Sequence, residues 1–161
     1  MVTGTAEERL QHALDLAYRY LGRRDRTVLE VRRHLEGKRV EPSAIDGALA
    51  SLAEAGYLDD ARYARRFAED RRELDDWGAD RIARKLHAAG VGEVEVAAAL
   101  DARGAEAEHD AAIALLRRKI RVPPQSDRER ERALGMLVRK GYDLDLAYDV
   151  VRAFEREPEA A

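Results

Sequence analysis

The sequence predicts an all-α fold in which three tandem three-helix repeats form an elongated, curved array, and three observations lead there. Apolar residues recur at intervals of three and four along nearly the whole chain, and no stretch alternates in the manner of a strand. Thr5 with Glu8, Thr27 with Glu30, Ser43 with Asp46 and Ser126 with Glu129 have the spacing of a capping box, the arrangement with which helices begin. A single offset of 51 residues then relates apolar positions in the three thirds: Val31 to Ile82 and Ala133, Leu35 to Leu86 and Leu137, Val40 to Val91 and Tyr142, Ile45 to Val96 and Ala147, and Leu49 to Leu100 and Val151. A three-helix unit of roughly 50 residues buries little surface alone, so neighbouring units are expected to pack and share their burial. The expected boundaries are 1–56, 57–104 and 105–157.

The first helix follows Thr5 and carries Leu10, Leu14, Ala17 and Leu21 inward as far as Gly22. The second follows Thr27, buries Val31 and Leu35, and is expected to end at Gly37, because glycine takes a left-handed turn most readily. Ser43 with Asp46, after Pro42, opens the third, whose inward residues are Ile45, Leu49 and Leu52 and which runs to Gly56. Asp59 and Asp60 precede the fourth, where Tyr63, Phe67 and Leu74 form an apolar stripe with Ala64 and Arg71 at its edge. Arg62, Arg65, Arg66, Glu69, Arg72 and Glu73 occupy the opposite arc.

The fifth helix follows Trp77-Gly78, turns Ile82, Leu86 and Ala89 inward and Arg81, Arg84 and Lys85 outward, and ends at Gly90. The sixth runs from about Glu93 to Arg103 on Val96 and Leu100, and the seventh from Glu106 to Arg121 on Ile113, Leu116 and Ile120, stopping before Pro123-Pro124. Ser126 opens the eighth, which ends near Gly141, and the ninth uses Leu146, Val150 and Phe154. Arg118 falls where Phe67 sits one unit earlier, so a change of length is expected between Arg103 and Ser126.

Composition narrows the function. With 45% hydrophobic, 6% aromatic and 38% charged residues among 161, the chain has the make-up of a soluble helical protein rather than a disordered tail or a β-sandwich. A net charge of −3 gives no overall attraction to nucleic acid, so any such contact must be local. Cysteine is absent, which excludes disulfides and thiolate chemistry and suits a reducing cytoplasm. No apolar run reaches the ~18 residues of a membrane helix, and no basic-then-apolar leader opens the chain. A cytoplasmic location and no membrane partner are expected.

Catalytic and metal signatures are missing. His12, His34, His87 and His109 are scattered one to a helix, whereas a zinc site needs about four convergent ligands. Asp59, Asp60, Asp75 and Asp76 fall at helix boundaries, where capping accounts for them. There is no glycine-rich phosphate loop, nucleophile elbow or dinucleotide fingerprint. No enzyme activity and no cofactor are expected.

The stretch Gly56-Tyr57-Leu58-Asp59-Asp60, followed by Arg62-Tyr63-Ala64, Trp77-Gly78, Arg81-Ile82, Leu86 and Gly90-Val91, resembles the signature of the RecX family of bacterial recombinase regulators. The three-by-three helical layout is similar as well. The resemblance implies a non-enzymatic modulator in DNA repair, homologous recombination and the SOS response. Such a modulator binds the groove of the RecA filament on single-stranded DNA, touches adjacent protomers, and restrains ATP turnover, filament growth and strand exchange. Family members often carry basic residues and a proline around the Trp-Gly pair, where this chain has Asp75, Asp76 and Ala79.

Charge is segregated along the chain. Arg23 to Arg39 holds seven basic and three acidic residues and Arg117 to Arg121 four basic and no acidic ones, whereas Glu93 to Asp110 holds six acidic and one basic. Arg32, Arg33, Arg62, Arg65, Arg72, Arg81, Arg84 and Lys85 are the candidate partner-binding residues; Arg33, Arg81, Arg84 and Lys85 lack an acidic residue one turn (four residues) towards the C-terminus, while Arg32 has Glu36, and unpaired arginines on a rigid helix suit carboxylate or phosphate recognition. Arg65, Glu69 and Arg72 are equally spaced for i,i+3 and i,i+4 pairs that merely stabilise a wet helix. Arg71 is expected to pair with a carboxylate on the buried side. Arg117, Arg118, Lys119 and Arg121 are candidates for a weak direct DNA contact. The alternative function is sequence-tolerant DNA binding through helix-turn-helix-like units, and a third is a helical scaffold of unrelated role. A monomer is expected, since nothing resembles a coiled-coil seam.

Overall fold

The computed structural model describes residues 3–158, which form nine helices and no strand. They are α1 (Ala6–Leu21), α2 (Val28–Gly37), α3 (Pro42–Glu54), α4 (Asp60–Asp75), α5 (Ala79–Ala88), α6 (Glu93–Asp101), α7 (Ala105–Lys119), α8 (Asp127–Lys140) and α9 (Leu144–Glu155). Two compact units result, one of Met1–Ala64 with Leu86–Val96 and the other of Arg65–Lys85 with Ala97–Ala161. The division runs through α4, α5 and α6, so the middle trio contributes to both units, with the larger share in the second.

In the first unit α1 packs on α2 and α3. Small residues make the close approach: Ala13 and Ala17 on α1 and Ala48 on α3 are fully buried beside Val31, Leu35, Ile45 and Leu52. Leu10, Leu14 and Leu21 are only partly buried at the rim of that cluster. In the second unit α9 packs on α7 and α8, around Leu115, Leu116, Leu137, Val150 and Phe154. Complete burial of a side chain of this size stabilises by about 1.5–3 kcal/mol, so these clusters supply most of the driving force.

The 51-residue register is visible in the backbone. Val40 N–H donates to Leu35 O, Val91 to Leu86 O and Tyr142 to Leu137 O, at 3.1, 3.0 and 3.0 Å. A second bond runs from Arg39 to Glu36 O, Gly90 to His87 O and Gly141 to Val138 O. These paired bonds define a Schellman turn, and the residue that must be left-handed is Arg39, Gly90 or Gly141, with φ of 59°, 87° and 98°. Val31, Ile82 and Ala133 are all fully buried, as are Leu35, Leu86 and Leu137.

Several local expectations are corrected. Gly37 is the last residue of α2 and not its terminator; Arg39 takes the left-handed position two residues later. The Ser43 and Asp46 box does not form, because α3 already starts at Pro42 with Glu41 as an N-cap that makes no side-chain bond. Leu74 is 70% exposed, and α4 buries Ala64 and Ala68 instead. Helix α6 stops at Asp101 rather than Arg103, and α7 occupies Ala105–Lys119 rather than reaching Arg121. The change of length falls where it was expected. Ala13 and Ala17 correspond to Ala64 and Ala68 51 residues on, but these correspond to Ala112 and Leu116 only 48 further on, all six buried. Phe67 therefore matches Leu115 and not Arg118.

Gly141 and Gly56 both have positive φ, but only Gly141 is crowded, since a Cβ there would fall on Arg81 Cβ and 2.6 Å from its backbone nitrogen. Urea denaturation should show Gly141→Ala destabilising by about 3 kcal/mol or more, strain and overlap together. Gly56→Ala, with nothing within 4 Å, should cost only the left-handed penalty of about 1–2 kcal/mol.

Candidate partner-binding surface

The helices that carry the candidate cations are fixed at their ends. An α-helix leaves its first backbone N–H groups unpaired, and burial there requires acceptors. At the start of α2, Thr27 Oγ1 accepts from Glu30 N–H at 3.1 Å and donates to Ala89 O at 2.6 Å, while Val28 N–H donates to the Asp60 carboxylate at 3.0 Å. At the start of α5, Ala79 N–H donates to the Glu108 carboxylate at 2.8 Å, Gly78 N–H to Lys140 O at 2.8 Å and Asp80 N–H to Gly141 O at 2.9 Å. Val28 and Ala79, Thr27 and Gly78, Ala89 and Lys140 are again 51 residues apart. In each unit the positive end of one helix therefore meets the carbonyl end of another, with a carboxylate from the α4 or α7 start completing the cap.

Gly78 makes the second of these contacts possible. A Cβ there would lie 2.6 Å from the Gly141 carbonyl and the Tyr142 nitrogen. Beside it Trp77 meets the Phe67 ring edge-on with centroids 6.2 Å apart. The Arg81 guanidinium sits 4.2 Å over the indole and donates to Arg139 O at 3.1 Å. Arg71 pairs with Asp75 at 2.5 Å, as expected of a cation at the edge of the apolar stripe. The Trp-Gly turn is thus a packed junction.

Burial pushes the Asp60 carboxyl above its usual range; the Val28 N–H opposes this, and the charges of Glu95, Asp59 and Glu30 add to it. Glu108 is 9% exposed and pairs with Arg103 at 3.1 Å. Burial and the neighbouring Arg103 lower the pKa of Arg72, whose guanidinium reaches Leu100 O at 3.1 Å and Ala99 O at 3.4 Å at the end of α6.

These contacts sort the candidates. Arg72 and Arg81 are committed to carbonyls within the second unit, and Arg62 donates to Gly56 O at 2.8 Å in the first. Arg32 pairs with Asp46 at 3.1 Å across a largely open surface, where such a pair contributes little. Arg117 is bonded to Glu157, and Arg118 pairs with Asp76 at 2.6 Å. Arg33, Arg65, Arg84, Lys85, Lys119 and Arg121 are exposed and make no hydrogen bond or close ion pair among the described residues. Arg33 and Arg84 occupy the same position of their helices, 51 residues apart. The histidines do not converge: His34 stacks on Tyr20 and His87 lies 3.3 Å from Glu93.

Asp60 and Glu108 are 48 and not 51 residues apart, so the offset that aligns the apolar columns does not pair them. Carboxylate at the start of a first helix was the available signal.

An all-α chain of tandem helical trios, joined by the same cap and turn chemistry at a fixed offset, belongs among the helical-repeat proteins. Three family models match in succession: the RecX first three-helix domain over 13–52, the second over 59–100 and the third over 106–151. The chain belongs to the RecX family. It is 35% identical over 149 residues to the regulatory protein RecX of Mycobacterium avium, covering 90% of this chain and 86% of that one. It is 31% identical over 150 residues to the regulatory protein RecX of Stenotrophomonas maltophilia, covering 93% and 87%. The fold matches the crystal structure of RecX from Lactobacillus salivarius with a TM-score of 0.81 at 17% identity, over 92% of this chain and 98% of that one.

The Asp60 cap has a pH signature. Because the folded pKa is raised, ionisation of Asp60 opposes folding: its contribution is fully present below the ordinary carboxylate range and is lost as pH rises through the raised value. Asp60→Asn keeps a carbonyl acceptor for Val28, so it should be more stable than the parent at pH 7, with the gap closing below about pH 4. Asp60→Ala leaves Val28 N–H unpaired and should cost about 1–2 kcal/mol at either pH in the same denaturation assay.

Proposed function

We propose that this protein is a regulator, not an enzyme, that binds the RecA filament on single-stranded DNA and lowers its ATP turnover, growth and strand exchange. It acts as a monomer in the cytoplasm; no helix among the described residues is long and apolar enough to cross a membrane. The observation that carries this reading is the recurrence of an exposed arginine without a hydrogen bond or close ion pair at one position of two successive family modules, Arg33 and Arg84, with Lys85 beside the second. A filament repeats its surface from protomer to protomer, and a ligand that repeats its cations in step can engage more than one copy. Arg65 adds a further free charge on α4. Arg62, Arg72 and Arg81 support the surface by holding the elements that carry it. Direct DNA contact through α7 is the weaker alternative, since Arg117 and Arg118 already have acidic partners and only Lys119 and Arg121 are free.

Recombinase ATPase on single-stranded DNA, measured with substoichiometric protein, tests this. Turnover should fall. Because a specific interface of ~1,200 Å² or more distributes its energy over several contacts, each single Arg→Ala change should weaken inhibition only in part. Arg33→Glu, Arg84→Glu and Lys85→Glu together should weaken it by at least about tenfold. Undiminished turnover with the parent protein overturns the function, and undiminished inhibition by the triple variant overturns the surface.

A further inference from the structure

The outward face shared by α8 and α9 differs from its counterparts on the first two trios. Leu134 and Tyr148 stand where the first trio has Arg32 and Asp46, which pair at 3.1 Å. Val138 and Leu144 stand where the second trio has His87 and Glu93, 3.3 Å apart. Offsets of 51 residues relate all of these positions, and the pairs measured in the earlier trios show which of them meet across the two helices. By that register Leu134 faces Tyr148 and Val138 faces Leu144. The next rung is a direct contact, since Arg130 pairs with Glu155. Where each earlier trio carries an ion pair, the third therefore carries a four-cornered apolar patch.

Val138, Leu144 and Tyr148 are 41%, 51% and 48% exposed, while Leu134 rests partly buried on the core of the second unit. The rim of the patch is acidic. Glu131 lies one turn before Leu134 on α8, and Asp145 one turn before Tyr148 on α9. Both are exposed and make no hydrogen bond or close ion pair among the described residues. The cations beside the patch are already engaged: Arg130 with Glu155 and Asp127, and Arg152 with Asp149. Arg128, Arg132 and Arg139 fall about a quarter turn or more further round α8, at about 100° per residue.

We infer that this patch receives a basic amphipathic helix of a protein partner, with its apolar residues seated between α8 and α9 and its lysines or arginines on Glu131 and Asp145. Apolar side chains one turn apart on each of two adjacent helices leave a hollow that accepts the i, i+3 or i+4 anchors of a third helix. A second copy of the chain fits less well. Three half-exposed side chains offer roughly 300 Å² of apolar surface, short of the ~800 Å² per partner of a stable dimer, and a symmetric contact would set one acidic rim against the other. An anionic lipid surface would meet the same repulsion. The inference does not rest on the recombinase reading, because it involves none of Arg33, Arg84 and Lys85 and its test needs no recombinase.

Fluorescence anisotropy of the full chain with a labelled helical peptide of leucine and lysine, about eighteen residues long and with leucines at i, i+3, i+4 and i+7, tests it. The parent should bind saturably at about 100 μM or below. Val138→Gln, Leu144→Gln and Tyr148→Gln together leave the charge unchanged, and circular dichroism should confirm an unaltered fold. That variant should bind at least about tenfold more weakly. Glu131→Lys with Asp145→Lys keeps the apolar patch and should weaken binding about fivefold or more in low salt, and less in high salt. Leu74→Gln with Val94→Gln removes more exposed apolar side chains from α4 and α6 and should change binding less than about twofold. No binding by the parent, undiminished binding by the triple variant, equal loss in the Leu74 and Val94 double, or equal affinity for a peptide with glutamate in place of lysine would each overturn the assignment. Dimerisation of the parent that the triple variant lacks would give the face to a second copy and overturn it too, as would binding to phosphatidylglycerol vesicles that the triple variant loses.

Discussion

Everything in this molecule depends on buried helix ends finding partners. A helix of ten residues such as α2 or α5 is too short to persist in water by its own hydrogen bonds. Its start is hidden against other backbone, so donors that water would normally satisfy must be satisfied by protein. The protein solves this twice in the same way: a carboxylate from the α4 or α7 start, and a backbone carbonyl from the end of α5 or α8. The left-handed turns at Gly90 and Gly141 present those carbonyls. Thr27 and Gly78, the corresponding residues, reach them by different chemistry, one through a hydroxyl and the other through its own N–H.

That arrangement gives the exposed cations of each unit an ordered backbone to stand on. Arg33 in the first unit, and Arg84 and Lys85 in the second, each project from a helix whose start cannot fray without orphaning buried groups, so each stands on an ordered backbone. Cations nearer the junctions serve the scaffold: Arg72 closes the carbonyl end of α6, and Arg81 bridges Trp77 to Arg139 O. Position relative to a junction, more than local charge, separates a supporting arginine from an available one.

Much of the fold was legible in the sequence because helical periodicity and a fixed 51-residue offset are both written in apolar residues, and Val31, Ile82 and Ala133 are all fully buried. Local terminators were less legible. Gly37 looked like the end of α2, yet the Schellman turn needs its left-handed residue two positions further on, and there the chain has Arg39. Leu74 matched the stripe of α4 by angle but lies in its last turn, where no other element covers it. The candidate surface was half legible. Sequence distinguishes a cation with an acidic neighbour one turn away from one without, but Arg118 pairs with Asp76 and Arg72 with distant carbonyls, and no spacing rule along one helix anticipates partners 42 or 28 residues away.

Amide hydrogen exchange under native conditions tests the central claim most directly. The first N–H of a helix ordinarily exchanges quickly, having no partner within the helix. If the junctions hold as described, Val28 and Ala79 exchange slowly, while Asp127, the first residue of α8, exchanges quickly. Equal, rapid exchange at all three would contradict the account.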